Sequence, residues 1–307
     1  AAACGGDDDD TSTGAPDAPA ATGDSPTTAA PAPADTVIDV VGFAVPEAAN
    51  VAIAKAWNAT PEGAGVTFQS SYGASGDQSR AVVDGLPADY VHFSVSSDVT
   101  RLVDNGLVAD TWDDGPTKGV VSSSIVVFAV QPGNPLGIED WDDLLQDGVE
   151  IVTPNPASSG AARWNALGAW GQAIANGGTE ADAEAYVTEL FEHVVALPNS
   201  GRDATQTFLS GTGNVLLAYE NEAILAHQNG EEFDYVIPAT TMLIENPGAV
   251  LIDANPKAQE WLDFVLSPAG QYEFAQKGFR PVVDGVEVGE VEGANDPANP
   301  FPPVDRL

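Results

Sequence analysis

The residues best placed to do chemistry are those of Ile151 to Asn165, which read Ile-Val-Thr-Pro-Asn-Pro-Ala-Ser-Ser-Gly-Ala-Ala-Arg-Trp-Asn. β-Branched Ile151 and Val152, a turn marked by Pro154 and Pro156, and Ser158-Ser159-Gly160 feeding an alanine-rich run predict a strand, a loop and a helix start. The first four N–H groups of a helix have no intrahelical partner. The helix dipole adds partial positive charge there, so such an end is a natural seat for an oxyanion. Ser159 adds a hydroxyl, and Gly160 lets an anion come close to the backbone. Read alone, Ser158 or Ser159 is simply a helix cap.

Two further strand-to-helix turns carry the same ingredients. Tyr72-Gly-Ala-Ser-Gly-Asp-Gln-Ser-Arg sets Ser75 in a glycine-flanked turn, a second anion nest. It lacks the Gly-Lys-Ser/Thr ending of a nucleotide loop. Asn199-Ser-Gly-Arg-Asp-Ala-Thr is the third, with Gly201 at its helix start. Three of only ten basic residues, Arg80, Arg163 and Arg202, fall within five residues of these turns. Ion pairs from them would fix the loops, a role that does not compete with anion binding. A hydrolase would also use a serine, a histidine and a carboxylate. However, no Gly-x-Ser-x-Gly elbow and no His-Glu-x-x-His zinc pattern occurs. His92 in a predicted strand, His193 at a helix end and His227 on a helix face read as structural. A secreted serine hydrolase is the weaker alternative, and neither metal nor cofactor is expected.

Thr153-Pro-Asn-Pro-Ala-Ser-Ser-Gly-Ala-Ala-Arg-Trp-Asn resembles the Thr-Pro-Asn-Pro-x-x-Ser-Gly-Gly-Ala-Arg-Trp-Asn segment of the periplasmic sulfate- and thiosulfate-binding proteins, receptors of sulfate ABC importers. The similarity continues through Ser71-Tyr-Gly-Ala-Ser-Gly-Asp-Gln, Asn134-Pro-x-Gly-Ile-x-Asp-Trp-Asp-Asp-Leu, Gly201-Arg-x-Ala-Thr-x-Thr-Phe, Tyr219-Glu-Asn-Glu and Gly278-Phe-Arg-Pro. It runs in the family's order from about Val37 to Val283. The resemblance implies a sulfate receptor, with thiosulfate as a further ligand, that serves an importer's permease and ATPase and is not an enzyme. It implies binding by the Ser75 N–H, the Ser159 hydroxyl, the Gly160 and Ala161 N–H groups and the Gly201 N–H, with Arg80, Arg163 and Arg202 behind them. The family's last donor is a tryptophan indole, where this chain has Tyr219. Ala161 and Asp203 stand where the family has glycine, and Phe43-Ala-Val-Pro replaces an early Tyr-Asp-Pro. An indole can only donate, whereas the Tyr219 hydroxyl or the Asp203 carboxylate could accept a proton from phosphate. Phosphate or another tetrahedral oxyanion is therefore the alternative ligand.

The elements that must position these turns follow from composition and periodicity. A chain of 307 residues exceeds what one core usually organises, so two lobes are expected. Apolar content of 43% suits a globular body, and no apolar run reaches the roughly 18 residues a spanning helix needs. Forty-six acidic against ten basic residues give a formal charge of −36, which argues against nucleic acid or anionic membrane surfaces as partners. Cys4 is the only cysteine, so no disulfide can form within the chain. Ala2-Ala3-Cys4-Gly5 resembles the tail of a bacterial lipobox, and the stretch from Asp7 to Ala34 contains neither Lys nor Arg. Residues 1–35 are thus read as a signal remnant, a lipidated Cys4 and a disordered acidic tether, on an extracytoplasmic protein held at the membrane by lipid alone.

From Thr36 onward, strands alternating with helices predict a mainly parallel α/β sheet whose ligand sits at the carboxyl ends of strands. The expected architecture is the two-lobed, type II periplasmic-binding-protein-like fold, a monomer with its ligand in the cleft between lobes. Residues 36–120 would begin lobe 1, 121–238 form lobe 2, and 239–307 return to lobe 1 and end in an irregular surface tail. Trp164, Leu167, Trp170 and Ile174 recur at helical spacing and are expected to form a core stripe. Trp261, Phe264, Val265, Tyr272 and Phe274 are expected to pack two closing helices.

Overall fold

The computed structural model describes residues 36–307; Cys4 and the tether expected over residues 1–35 lie outside the described residues. The chain opens with β1 (Thr36–Phe43), α1 (Glu47–Asn58), β2 (Val66–Gly73), α2 (Ser75–Val83), β3 (Tyr90–His92) and α3 (Ser96–Asp104). It continues through β4 (Val120–Val130), a 3-10 turn over Trp141–Leu145, β5 (Ile151–Val152), α4 (Gly160–Ala175), α5 (Glu180–Glu192), β6 (Val194–Ala196), α6 (Gly201–Leu209), β7 (Val215–Tyr219) and α7 (Glu220–Gln228). It closes with β8 (Asp234–Val236), β9 (Thr240–Thr241), β10 (Leu243–Val250), α8 (Lys257–Val265), α9 (Pro268–Gln276) and β11 (Asp305–Arg306).

The large sheet has the order β2-β1-β3-β10-β4-β7-β5-β6, with β8 also on β4. Pairing is parallel at the two flanks, as the alternation of strands and helices predicts. Through the middle it is antiparallel, because β4 and β10 carry the chain across the sheet and back. The sheet is therefore mixed. The first part of β4 pairs with β10 and the part from Val126 onward pairs with β7, so β4 belongs to both halves. We call β2, β1 and β3 with α1–α3, α8 and α9 the first half, and β5–β8 with α4–α7 the second. β10 is not evident from composition, since Glu245-Asn246-Pro247-Gly248 interrupts it; the register shifts at Asn246/Pro247, where proline cannot donate to the ladder.

One apolar core runs through both halves, from Ile38 and Trp57 to Phe128, Trp141 and Leu217. Trp57, Phe68 and Trp261 cluster in the first, with ring centroids 4.9 to 6.0 Å apart, and Phe128 meets Trp141 edge-on at 4.9 Å in the second. Each of the fully buried rings, Trp57, Trp261, Phe128 and Trp141, contributes on the order of 2 kcal/mol or more. Two expectations fail. Helix α4 buries its small face, Gly160, Ala161, Ala162, Asn165, Gly168, Ala169 and Gln172. Leu167 and Ile174 are exposed and Trp170 lies at the same surface, because close approach to β7 and to Trp141 admits only small residues. Tyr272 is likewise exposed, whereas Trp261, Val265 and Phe274 are buried as expected. The tail beyond Val283 is irregular apart from β11, which pairs with β9. It is not wholly superficial, since Val291 is fully buried and the His227 Nδ1 lies 2.9 Å from the Gly293 carbonyl. Among the described residues no helix is long and apolar enough to cross a membrane.

Candidate functional site

The three turns singled out in the sequence each deliver a helix N-terminus, and contacts bring those ends together. Ser75 is the first residue of α2, Gly160 of α4 and Gly201 of α6. The Gly76 N–H donates to the Ser158 carbonyl at 3.0 Å, joining the start of α2 to the loop before α4. A Cβ on Gly201 would lie 3.4 Å from the Ala161 Cβ, so the starts of α6 and α4 are in contact. A Cβ on Gly160 would lie 2.4 Å from the Ser94 Oγ, closer than real Cβ contacts come, so glycine is required where α4 meets the first half.

The donors at these ends are left over. Among the described residues the N–H groups of Ser75, Gly160, Ala161 and Gly201 have no hydrogen-bond partner. Ser159 occupies the N-cap position of α4, yet its hydroxyl makes no cap bond, although the residue is only 3% exposed. The plain reading of Ser159 as a side-chain cap is not what the structure holds. A group of neutral donors at dipole-positive helix ends, buried at Ser75, Ser159, Gly160 and Ala161 and half-buried at Gly201, can take up an oxyanion, and nothing in the set can accept a hydrogen bond from one except the Ser159 hydroxyl.

Charge stands one layer behind. Asp98, fully buried, accepts from the Ser75 Oγ at 2.7 Å and from Arg101 at 3.0 Å, with Arg163 at 3.6 Å. Arg80 pairs with Asp77; the Asn199 amide, then Arg80, hold that carboxyl below its usual range. Arg202 pairs with Glu222 at 2.8 to 3.2 Å through three contacts and also donates to the Val45 carbonyl at 3.1 Å. The three arginines thus brace the turns through carboxylates. Asp203 lies exposed in the first turn of α6, its N–H on the Ser200 Oγ at 3.1 Å. The Tyr219 hydroxyl is buried and 2.8 Å from the Ser94 Oγ; burial pushes its pKa above the ordinary phenol range, so it stays protonated.

Sequence reasoning missed Ser94, Asp98 and Arg101. Ser94 follows the carboxyl end of β3, the place where ligands of such sheets gather, and Phe93-Ser-Val-Ser-Ser-Asp has the serine-rich look of the other turns. The histidines are structural here: His92 is buried 3.0 Å from the Ser122 Oγ, and His193 lies 3.1 Å from the Val149 carbonyl. The Tyr219-Glu-Asn-Glu and Gly278-Phe-Arg-Pro segments meet through a buried Glu220–Arg280 ion pair at 2.7 Å. Glu222 of the first segment is also the partner of Arg202.

Comparison with known proteins bears directly on this arrangement. Residues 38–280 match the bacterial extracellular solute-binding protein family. The chain is 44% identical to a sulfate-binding protein of Synechococcus elongatus over 71% of its own length, and spans 64% of that relative. It is 40% identical to a thiosulfate-binding protein of Pseudomonas aeruginosa, over 69% of this chain and 67% of that one. In three dimensions it is similar to the sulfate-binding protein SubI from Mycobacterium tuberculosis, with a TM-score of 0.82 and 43% identity over 89% of this chain and 93% of that one.

Proposed function

This chain belongs to the bacterial extracellular solute-binding protein family, and from that premise we propose that it captures sulfate outside the cytoplasm and delivers it to the permease of an ABC importer. The observation that carries the reading is the set of unpaired neutral donors, the N–H groups of Ser75, Gly160, Ala161 and Gly201 with the Ser159 hydroxyl, at three helix ends in contact. Sulfate near neutral pH carries no proton, so donors alone suit it. Phosphate usually carries one and needs an acceptor, and an exposed Asp203 is poorly situated to supply it. Thiosulfate presents the same kind of unprotonated oxygens and belongs to the same ligand class. Arg80, Arg163 and Arg202 hold the turns in shape through their carboxylate partners. The protein binds and releases, without chemistry on the ligand.

Cys4, as a lipid-bearing residue, and the acidic stretch to residue 35 would keep this monomeric receptor at the outer face of the cell membrane. Mass spectrometry of membrane-extracted protein, with Cys4→Ser as the control that should be released, tests that part. Calorimetric titration of the dialysed protein with sulfate, thiosulfate, phosphate and molybdate tests the ligand. One sulfate per chain with phosphate undetected at millimolar concentration is the expected result; phosphate bound more tightly than sulfate would overturn the assignment.

A further inference from the structure

We propose that Ser94 is a positioning residue through which the first half of the protein sets the aim of the α4 N-terminus and of the Tyr219 corner in the second. The proposal rests on the anion-receptor reading above. Ser94 is fully buried at the end of β3. Its N–H donates to the Ser75 Oγ at 2.9 Å, and its carbonyl accepts from the Asn246 Nδ2 at 3.0 Å, both within its own half or the crossing strand β10. Its remaining bonds reach the second half. The carbonyl also accepts from the Trp164 Nε1 at 2.8 Å, and the Oγ lies 2.8 Å from the Tyr219 hydroxyl.

The two partners are well chosen for coupling. Trp164 lies one turn along α4 from Gly160, so the Trp164–Ser94 bond fixes where the N-terminus of that helix points. Gly160 itself rests against the Ser94 side chain with no room for a Cβ. Tyr219 ends β7 and stands at the N-cap position of α7, which carries Glu222, the partner of Arg202 in α6. One residue thereby touches α4 directly and reaches α6 through Tyr219, α7 and the Glu222–Arg202 pair. Every group in the latch is neutral, which leaves the partial charge of the helix ends to the anion.

A double-mutant cycle on sulfate affinity tests this, using Ser94→Ala, Tyr219→Phe and both together, with Trp164→Phe as an independent third variant. Each single change should weaken sulfate binding by about two- to tenfold, the worth of one net hydrogen bond. The double variant should lose no more than either single one to within twofold. Trp164→Phe should add a further loss of similar size to that of Ser94→Ala. Losses that simply multiply in the cycle, or affinities that stay within twofold while melting falls, would overturn the proposal. A wild-type protein that binds no sulfate would overturn both this inference and the reading beneath it.

Discussion

Helices α4 and α5 are neighbours that begin in opposite ways. At the start of α5 the Thr179 Oγ1 accepts from the Asp182 N–H at 3.3 Å, and the Asp182 Oδ2 accepts from the Thr179 N–H at 2.7 Å, a reciprocal capping box. That end is exposed and looks after its own donors. At the start of α4 the hydroxyl of Ser159 is unused, the N–H groups of Gly160 and Ala161 are unpaired, and all three residues are buried. A helix end that caps itself has no need of an anion, whereas one left open in the interior carries a cost that an outside acceptor relieves. The contrast resides in a few side chains: Thr179-Glu-Ala-Asp against Ser159-Gly-Ala-Ala.

The sharpest way to break the contrast is to make α4 cap itself. Ser159→Asp would supply a carboxylate to the free N–H groups and repel an incoming anion. Sulfate binding should weaken by well over a hundredfold while the ligand-free protein keeps or gains stability, as calorimetry beside thermal melting would register. Removing the hydroxyl is milder. Ser159→Ala should lose about 1.5 to 3 kcal/mol of sulfate binding, roughly ten- to a hundredfold, with ligand-free melting unchanged. Affinity within twofold of wild type would return Ser159 to an ordinary structural serine.

Acid should separate binding from folding. None of the proposed donors titrates between pH 5 and 8, so sulfate affinity should stay flat there. The fold is another matter, because burial holds the His92 imidazole down to about 3. Between an unfolded value near 6.5 and that folded value, the unfolded chain takes up a proton the native one refuses. The His92 contribution to stability is therefore complete above about pH 6.5 and is lost as pH falls, by about 2 kcal/mol at pH 5. Glu220, whose carboxyl burial pushes up despite the lowering by Arg280, acts in the opposite sense. Denaturant melts of wild type and His92→Gln at pH 5 and 7 isolate the histidine share, and equal slopes for both would refute it.

At α5 the expected effect is smaller and confined to stability. Thr179→Ala should cost about 1 kcal/mol in unfolding free energy and leave sulfate affinity where it was. A change in affinity would show that the two helix starts are not independent. Smallest of all is the influence of overall charge. A dianion must approach a body of formal charge −36, so stopped-flow association should quicken as a non-competing salt shortens the screening length. A steady fall in rate with chloride would point instead to local steering by arginines.

Much of the fold was legible in the sequence, and the reason is local. Val120 to Val130 is apolar and β-branched enough to announce a strand, and Pro46 with Glu47 marks the start of α1. The three turns were readable because serine and glycine before an alanine- or threonine-bearing run signal a helix start. What escaped depends on partners distant in sequence. β10 is a strand only because β3 and β4 flank it, against the preference of Pro247 and Gly248. The apolar residues of α4 pointed to the wrong face, since a helix pressed against a neighbouring strand and the Trp141 ring selects for small residues and leaves Leu167 and Ile174 outside. Ser94 follows a short strand with no motif of its own, and its importance lies in Trp164, Tyr219 and Asn246 meeting it from elsewhere.

The central claim is that uncapped N–H groups, not arginines, grip the anion. Amide-resolved NMR of the isotope-labelled protein during a sulfate titration tests it most directly. The account predicts that the amide protons of Ser75, Gly160, Ala161 and Gly201 move downfield together and exchange more slowly with solvent at saturation, while the Asp182 amide, already capped by Thr179, stays where it was. Sulfate binding that saturates with those four amides unmoved would contradict it.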